Sequence, residues 1–389
     1  MEIIPVTDQR TAKEFMQVPV VLYKDDPKWI RPLDKDVKDV FDPKKNKSFR
    51  FGEVIRWILK DDQGKLIGRI AAFTNNKYKS KGDEGPVGGV GFFECINDQD
   101  AADLLLDNAK HWLMQHGMEA MDGPINFGER DRWWGMVTSG YQEPLYCMNY
   151  NPPYYVMLFE NYGFKLFYNQ VCFGMDLNDS LEQKVKDRHA VLEEDPDVYV
   201  LTIDKSKLEK FAKDFSTVYN KAWAGHGGLK ELSKDQVMIM FKKMKPIMDD
   251  KIIYFAYHKE DPIAIFVNLP DLNQWFKYLN GKFDLLHKLK FLWIKMTKPN
   301  KRACGLVFGV IPEWQGKGVD SFLAGEASKI MQTDQVSYKD YEMQWIGDFN
   351  PKMINIAERI GPTFRTRNLV TYRYLFDRTK EFKRHPILA

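Results

Sequence analysis

The stretch 307–332 changes its period in mid-run, and that change constrains the fold more than anything else in the chain. VFGVI (307–311) is a short apolar run closed by Pro312, whereas VDSFLAGEASKIMQ (319–332) carries its apolar residues at helical spacing. Between them stands Gln315-Gly316-Lys317-Gly318. A strand fed through glycines into a helix is the unit of an α/β fold, with the helix packed on a sheet. A helix N-terminus leaves about four N–H groups without partners and carries partial positive charge, and glycine lets a ligand approach the backbone. The junction is therefore either a tight turn between packed elements or a cradle for phosphates.

The remaining chain falls into two passes of a similar order. In the first, FGEVIRWILKDDQGKLIGRIAAF (51–73) predicts a hairpin around Asp61-Asp62-Gln63-Gly64, followed by a strand at 89–95 and an amphipathic helix at 98–116 ending on Gly117. The acidic segment 193–197, with Pro196, is expected to link the passes. The second predicts a strand (197–203), helices (207–222 and 234–248) and a hairpin (251–257 with 262–269). The strand 307–311, the helix 319–332, a strand (341–346), a helix (351–359) and a closing strand (371–376) complete it. At 389 residues the chain exceeds the ~250–300 at which single cores divide. The expectation is an α/β (α+β) protein of two domains, 1–190 and 191–389, each a mixed, mostly antiparallel sheet flanked by helices.

Composition excludes several function classes. A formal net charge of +3 gives no concentrated basic field, so no nucleic-acid partner is expected. Cys95, Cys147, Cys172 and Cys304 are widely spaced without a CxxC pair, which points to free thiols and to no metal site. The N-terminus has no signal-peptide pattern, and the longest apolar candidate, KLKFLWIKM (288–296), is too short and lysine-studded to span a bilayer. A cytoplasmic protein without a membrane partner, monomeric or homodimeric, is expected.

With both flanks in place, the second pass resembles the GNAT (N-acetyltransferase) superfamily. Its acyl-CoA motif, Gln/Arg-x-x-Gly-x-Gly/Ala between a central strand and a helix, matches Gln315, Gly316, Lys317, Gly318 and Val319, after the approach Val310-Ile311-Pro312. NPKMINIAERIG (350–361) is similar to the family's helix that opens on Asn and ends at Gly. The resemblance covers roughly 197–376. A degenerate second copy covers about 3–175, where NPPYYVMLFENYGF (151–164) echoes the same helix. In plan, tandem GNAT-like domains are similar to Fem-type aminoacyl transferases and protein N-myristoyltransferase, without a sequence-level match to either. The resemblance implies that acetyl-CoA or another acyl-CoA lies along Phe308 and Val310, with its diphosphate on Gln315, Gly316, Lys317, Gly318 and Val319 and with Asn350 nearby.

Departures from the family pattern bear on chemistry. Asp320 stands where the motif ends in Gly or Ala, and it either repels a diphosphate or caps the helix and points away. Ala357, and Phe159 in the first copy, occupy the place of the family's helix tyrosine, the acid for the leaving thiolate. Asp residues stand where the first copy's strand meets its helix, so that copy is not expected to bind CoA in the usual manner.

Glu342, Asp348 and Tyr372 are catalytic candidates by position, since amine attack needs a proton path. Glu94, Arg130, Arg132, Trp133, Trp134, Tyr150 and His226 are the acceptor-side candidates. The aromatic, Gly- and Pro-rich segment 123–155 must either line a cleft or pack as an inter-domain lid. The expected function is N-acyl transfer, of acetyl foremost, from acyl-CoA to a small-molecule or peptide amine by direct attack. A non-catalytic GNAT-like scaffold and a Fem-type aminoacyl transferase are the alternatives.

Overall fold

The computed structural model describes residues 1–223 and 230–388. The first half runs β1 (Glu2–Pro5), α1 (Gln9–Leu22), α2 (Asp34–Val40), β2 (Val54–Lys60), β3 (Leu66–Phe73), β4 (Val87–Cys95), α3 (Gln99–Gln115), β5 (Ala120–Gly123), β6 (Met136–Ser139), α4 (Tyr154–Tyr162) and β7 (Lys165–Asp176). The second opens with α5 (Gln183–Glu193), β8 (Val198–Thr202), α6 (Leu208–Trp223), α7 (Lys234–Met244), β9 (Ile253–His258) and β10 (Asp261–Pro270). An inserted pair, α8 (Asn273–Phe276) and α9 (Leu285–Thr297), comes next. It is followed by β11 (Arg302–Val310), α10 (Val319–Met331), β12 (Asp340–Met343), β13 (Ile346–Gly347), α11 (Pro351–Arg359) and β14 (Phe364–Leu375).

The fold is mixed α/β, and among the described residues its fourteen strands form one sheet. Its order is β1-β2-β3-β4-β5-β14-β7-β12-β11-β10-β9-β8, with β6 beside β14 and β13 beside β7. Among the described strands only β4 with β5 and β11 with β12 pair in parallel. The order mirrors itself about the β14–β7 pair, so each half donates its closing strand to the other. β7 pairs with β12, and β14 with β5. The segment expected as a linker is the turn from α5 into β8, where Val198 N–H bonds to Asp195 O at 3.0 Å.

Side-chain alternation fixes which face each strand shows to which core. Trp57 and Leu59 of β2 join the core beneath α3, while Ile58 between them joins Phe15 and Val18 of α1. Two expected strands start earlier than apolar runs alone suggest. β11 begins at Arg302 and β14 at Phe364, because their arginines are neutralised by acids on β12: Arg302 by Asp340, and Arg367 by Glu342. The expected strand 341–346 divides into β12 and β13. The helix expected over 234–248 ends at Met244.

Candidate active site

The two parallel junctions differ in how they are filled. In the second half β11 pairs with β12 only over Arg302–Gly305, then separates from it. Leu306–Val310 keeps its β10 partner on one side and, among the described residues, has no strand on the other. The chain then turns through Pro312–Trp314, where Gln315 Nε2 donates to Val310 O at 3.0 Å, and enters α10. Gly316 and Gly318 sit at φ +76° and +87°, a left-handed region costly for any residue with a Cβ. A Cβ on Gly316 would meet nothing within 4 Å, so the turn faces open space. Among the described residues no acceptor engages the N–H groups of Gly316, Gly318, Val319, Asp320 or Ser321. Lys317 Nζ lies 5.0 Å from the Trp314 ring centre, and Arg188 of α5 passes beside Gly318. Asp320 does not cap α10: the N-cap is Gly318, with no side-chain bond.

The matching junction in the first half is closed by its own chain. Asp98 caps α3, accepting from Ala101 N at 3.1 Å. Ile125 N–H bonds to Val90 O at 2.7 Å, and the Tyr155 hydroxyl accepts from Cys95 N at 2.8 Å, so segment 124–155 fills the gap that β4 leaves beyond β5. Gly91 is required here, because a Cβ would come within 1.9 Å of Ile125 O.

Behind that plug lies a cavity of about 70 Å³, walled by Trp29, Ile30, Val37, Trp133, Met148 and Tyr150 among others. Glu94 reaches into it. One carboxylate oxygen accepts from Tyr23 (2.5 Å) and Tyr155 (3.0 Å), the other from Arg69 Nη2 (3.2 Å). Burial pushes the Glu94 carboxyl above the usual glutamate range, outweighing Arg69 and the two hydroxyls, which pull the other way. Phe92, Trp133 and Cys147, all lining the cavity, have positive φ (47°, 43° and 60°). Such strain costs on the order of 1–3 kcal/mol per residue and gathers at functional sites. Met148 shares a buried cluster with Cys304 of β11, so the cavity wall and the paired base of the β11–β12 cleft meet in one core.

The structure thus brings Glu94, Trp133 and Tyr150 together, and adds Tyr23, Arg69 and Tyr155, which sequence reasoning missed. A signal was present. Arg69 and Glu94 are each a lone charge in an apolar strand, and such charges need a partner when buried. Trp134 is buried elsewhere, donating to the Tyr168 hydroxyl, with Arg130 above its ring. Arg132 is exposed. His226 lies outside the described residues.

The catalytic candidates separate. Glu342, 2% exposed, is held by Arg367 at 2.6 and 3.0 Å and by Thr366, with Arg302 at 3.5 Å. Its oxygens are committed within the sheet. Tyr372 lies on β14 in the first-half core, bonded to Glu160 at 3.0 Å, and belongs to a different core from Val319. Asp348 is partly exposed, bonded to Asn169 (2.7 Å) and Arg384 (2.6 Å), at the lip of an opening of about 520 Å³ that Asn368 and Arg367 also line. Phe308 packs edge-on to Phe266, and Asn350 caps α11 through Met353 N at 3.3 Å. His189, Glu193 and Glu326 come close enough for a cation, but Lys329 Nζ already bridges the two glutamates at 2.6 Å each. The four cysteines are free and buried.

No family model matches the chain. Among solved structures, a tandem GNAT protein from the clavulanic acid biosynthesis pathway superposes with a TM-score of 0.51 at 10% identity, over 96% of this chain and 98% of that one. The fold is a tandem GNAT fold. Within it the two halves differ at the strand-to-helix junction: Asp98 caps α3, whereas Gly318 opens α10. The chain is 24% identical over 368 residues to a protein of Caulobacter vibrioides named bacterial ceramide synthase, covering 93% of this chain and 94% of that protein. It is also 24% identical over 367 residues to Protein YghO of Escherichia coli, covering 91% and 90%. No described helix is long and apolar enough to cross a membrane.

Proposed function

We infer that the chain is an acyl-CoA-dependent N-acyltransferase whose second half holds the thioester and whose first half helps to hold the acceptor amine. The observation that carries this is the contrast between the two junctions. One helix N-terminus is capped and its strand edge filled, whereas the other offers the N–H groups of Gly316, Gly318, Val319, Asp320 and Ser321 beside the edge of Leu306–Val310. Those groups fit an extended, diphosphate-bearing thioester: the α10 N-terminus for the anion, the β11 edge for the amides of the arm. Phe308 and Val310 belong to that edge, and Lys317 and Arg188 add positive charge beside the turn.

The reaction is attack of a neutral amine on the thioester carbonyl. The N–C bond forms, the C–S bond breaks, the sulfur leaves as thiolate, and the amine gives up one proton. That proton passes to solvent, or to Asp348, which stands at a solvent-open lip after β13 with its oxygens shared by Asn169 and Arg384. The similarity to a protein named ceramide synthase, a name that denotes amide formation on a sphingoid base, supports an amphiphilic long-chain amine as acceptor over a peptide. The cavity beside Glu94, at about 70 Å³, has room for the amine end only, so its aromatic walls would hold that end and leave the chain outside.

Calorimetry with acetyl- and palmitoyl-CoA, and mass spectrometry of amide product from a sphingoid base, test the reading. Micromolar binding lost in Gly318→Glu, with amide formed, is the expected result. Binding of no acyl-CoA by the intact protein would overturn it, and binding without amide product would favour the scaffold reading.

A further inference from the structure

We propose that α9 docks the protein onto a bilayer surface bearing anionic headgroups. The helix is mounted apolar side out. Phe291 and Ile294 face inward onto Leu33, Trp275, Phe276 and Leu279. On the opposite side Leu285, Leu289 and Met296 are 74%, 58% and 86% exposed, and Leu286, Leu292 and Trp293 are exposed beside them. At 100° per residue these six side chains span an arc of about 120°. Lysines border it on both edges, Lys288 and Lys295 on one side and Lys290 on the other. Between Lys277 and Lys301 there are seven lysines and one acid, Asp284.

An outward apolar arc between lysine rims is the geometry of a helix lying in the headgroup region, with its apolar side chains sunk about 5–10 Å and its ammonium groups on phosphates. A span of ~20 residues is not needed for this, so the shortness of 288–296 is no obstacle. The mounting is firm. Asp284 caps the helix through His287 N, the Trp275 indole bonds to Lys298 O at 3.0 Å, and Lys290 and Lys295 are steadied on the carbonyls of Tyr278 and Pro246. A second copy of the chain fits less well, because a two-fold contact would set lysine rim against lysine rim. The inserted pair also touches the first-half cavity wall, Asn273 Nδ2 donating to Pro144 O at 2.8 Å, so docking would bring that wall close to the lipid.

The test is flotation of the full chain with vesicles of phosphatidylcholine, with and without 30 mol% phosphatidylglycerol (a chosen composition, roughly that of an anionic leaflet), alongside sedimentation velocity. Binding at least about tenfold stronger to the anionic vesicles is expected. It should be lost in Leu289→Glu/Met296→Glu and in the milder Leu289→Ser/Met296→Ser, and the anionic preference should be lost in Lys288→Glu/Lys295→Glu. Leu289, Met296 and Lys288 are solvent-facing and Lys295 is half-buried, and unchanged near-UV circular dichroism confirms the fold. Vesicle binding indifferent to the apolar pair overturns the proposal. So does a dimer without vesicle affinity that the same pair dissociates. Acyl-CoA calorimetry is unaffected by either result, so this proposal and the acyltransfer reading fail separately.

Discussion

Arg373, on the last strand, is held by Asp122, 251 residues earlier, through bonds of 2.6 and 2.8 Å, and by Asp83 at 2.7 Å. Asp122 is 0% exposed. This pair pins β14 beside β5 and so closes the first half with a strand from the second. Removing one partner strands a buried charge, which costs about 3–5 kcal/mol. Asp122→Ala is therefore expected to lower the urea midpoint of the whole protein, with both halves losing structure together. Two separated transitions, with the second half unchanged, would show that the exchanged strand does not couple them.

At the glycine turn the prediction concerns Asp320. Its carboxylate stands in the first turn of α10 without a capping bond, beside the N–H groups assigned to a diphosphate. Like charge at that range weakens anion binding and is screened by salt. Asp320→Asn is expected to tighten CoA binding by roughly three- to tenfold at low ionic strength, with the gain shrinking in 0.5 M salt, roughly where the Debye length falls to a few ångströms. Calorimetry at two salt concentrations checks this. An unchanged affinity at low salt would place the diphosphate away from α10.

How much of this was legible in the sequence follows from distance along the chain. The hairpins, α3 with Asp98 before it and the glycine turn are local, and their turn residues and periodicity announce them. The strand exchange is not local. Nothing in 165–176 or 364–375 says which half will receive it, because both register and charge pairing, as in Arg367 with Glu342, are settled by residues far away. The same holds for the site. Glu94 stood out as a charge in GVGFFEC, but Tyr23 and Tyr155, which hold it, come from two other elements with no spacing rule to link them.

Asp271 gives the protein a pH dependence of stability. It is 4% exposed, and burial pushes its carboxyl from 3.8 up to about 6, against the opposing pull of Arg302 and the Asn273 N–H. A folded-state pKa raised above the unfolded value means the folded state holds the proton more tightly. The associated stability is full below 3.8 and is lost as pH rises through about 6. At 1.36 kcal/mol per unit the loss is about 3 kcal/mol. Asp271→Asn keeps an acceptor for Asn273 N–H and removes the charge. It should be closer to neutral at pH 4 and stabilising by up to about 3 kcal/mol at pH 8 in urea titrations, on the same linkage. A difference that does not change with pH would refute the assignment.

The last prediction separates acceptor from thioester. Ile30 faces the Glu94 cavity and is 5% exposed. Replacing it with tryptophan adds roughly the volume of two or three methylenes or more to a space of about 70 Å³, and overpacking a wall costs about 1–3 kcal/mol. If the cavity receives the amine, Ile30→Trp raises the acceptor KM at least about tenfold, since each 1.4 kcal/mol of lost binding is tenfold, while the affinity for acyl-CoA at the second-half cleft stays within about twofold. Glu94→Gln should change the acceptor's pH profile as well, because the buried carboxyl lies in the same wall as the incoming ammonium. Equal losses in both substrates would mean a general collapse of the 124–155 plug onto the cleft base. A loss of acyl-CoA binding alone would move the thioester into the first half, where Asp98 already fills the helix terminus and Tyr155 the strand edge.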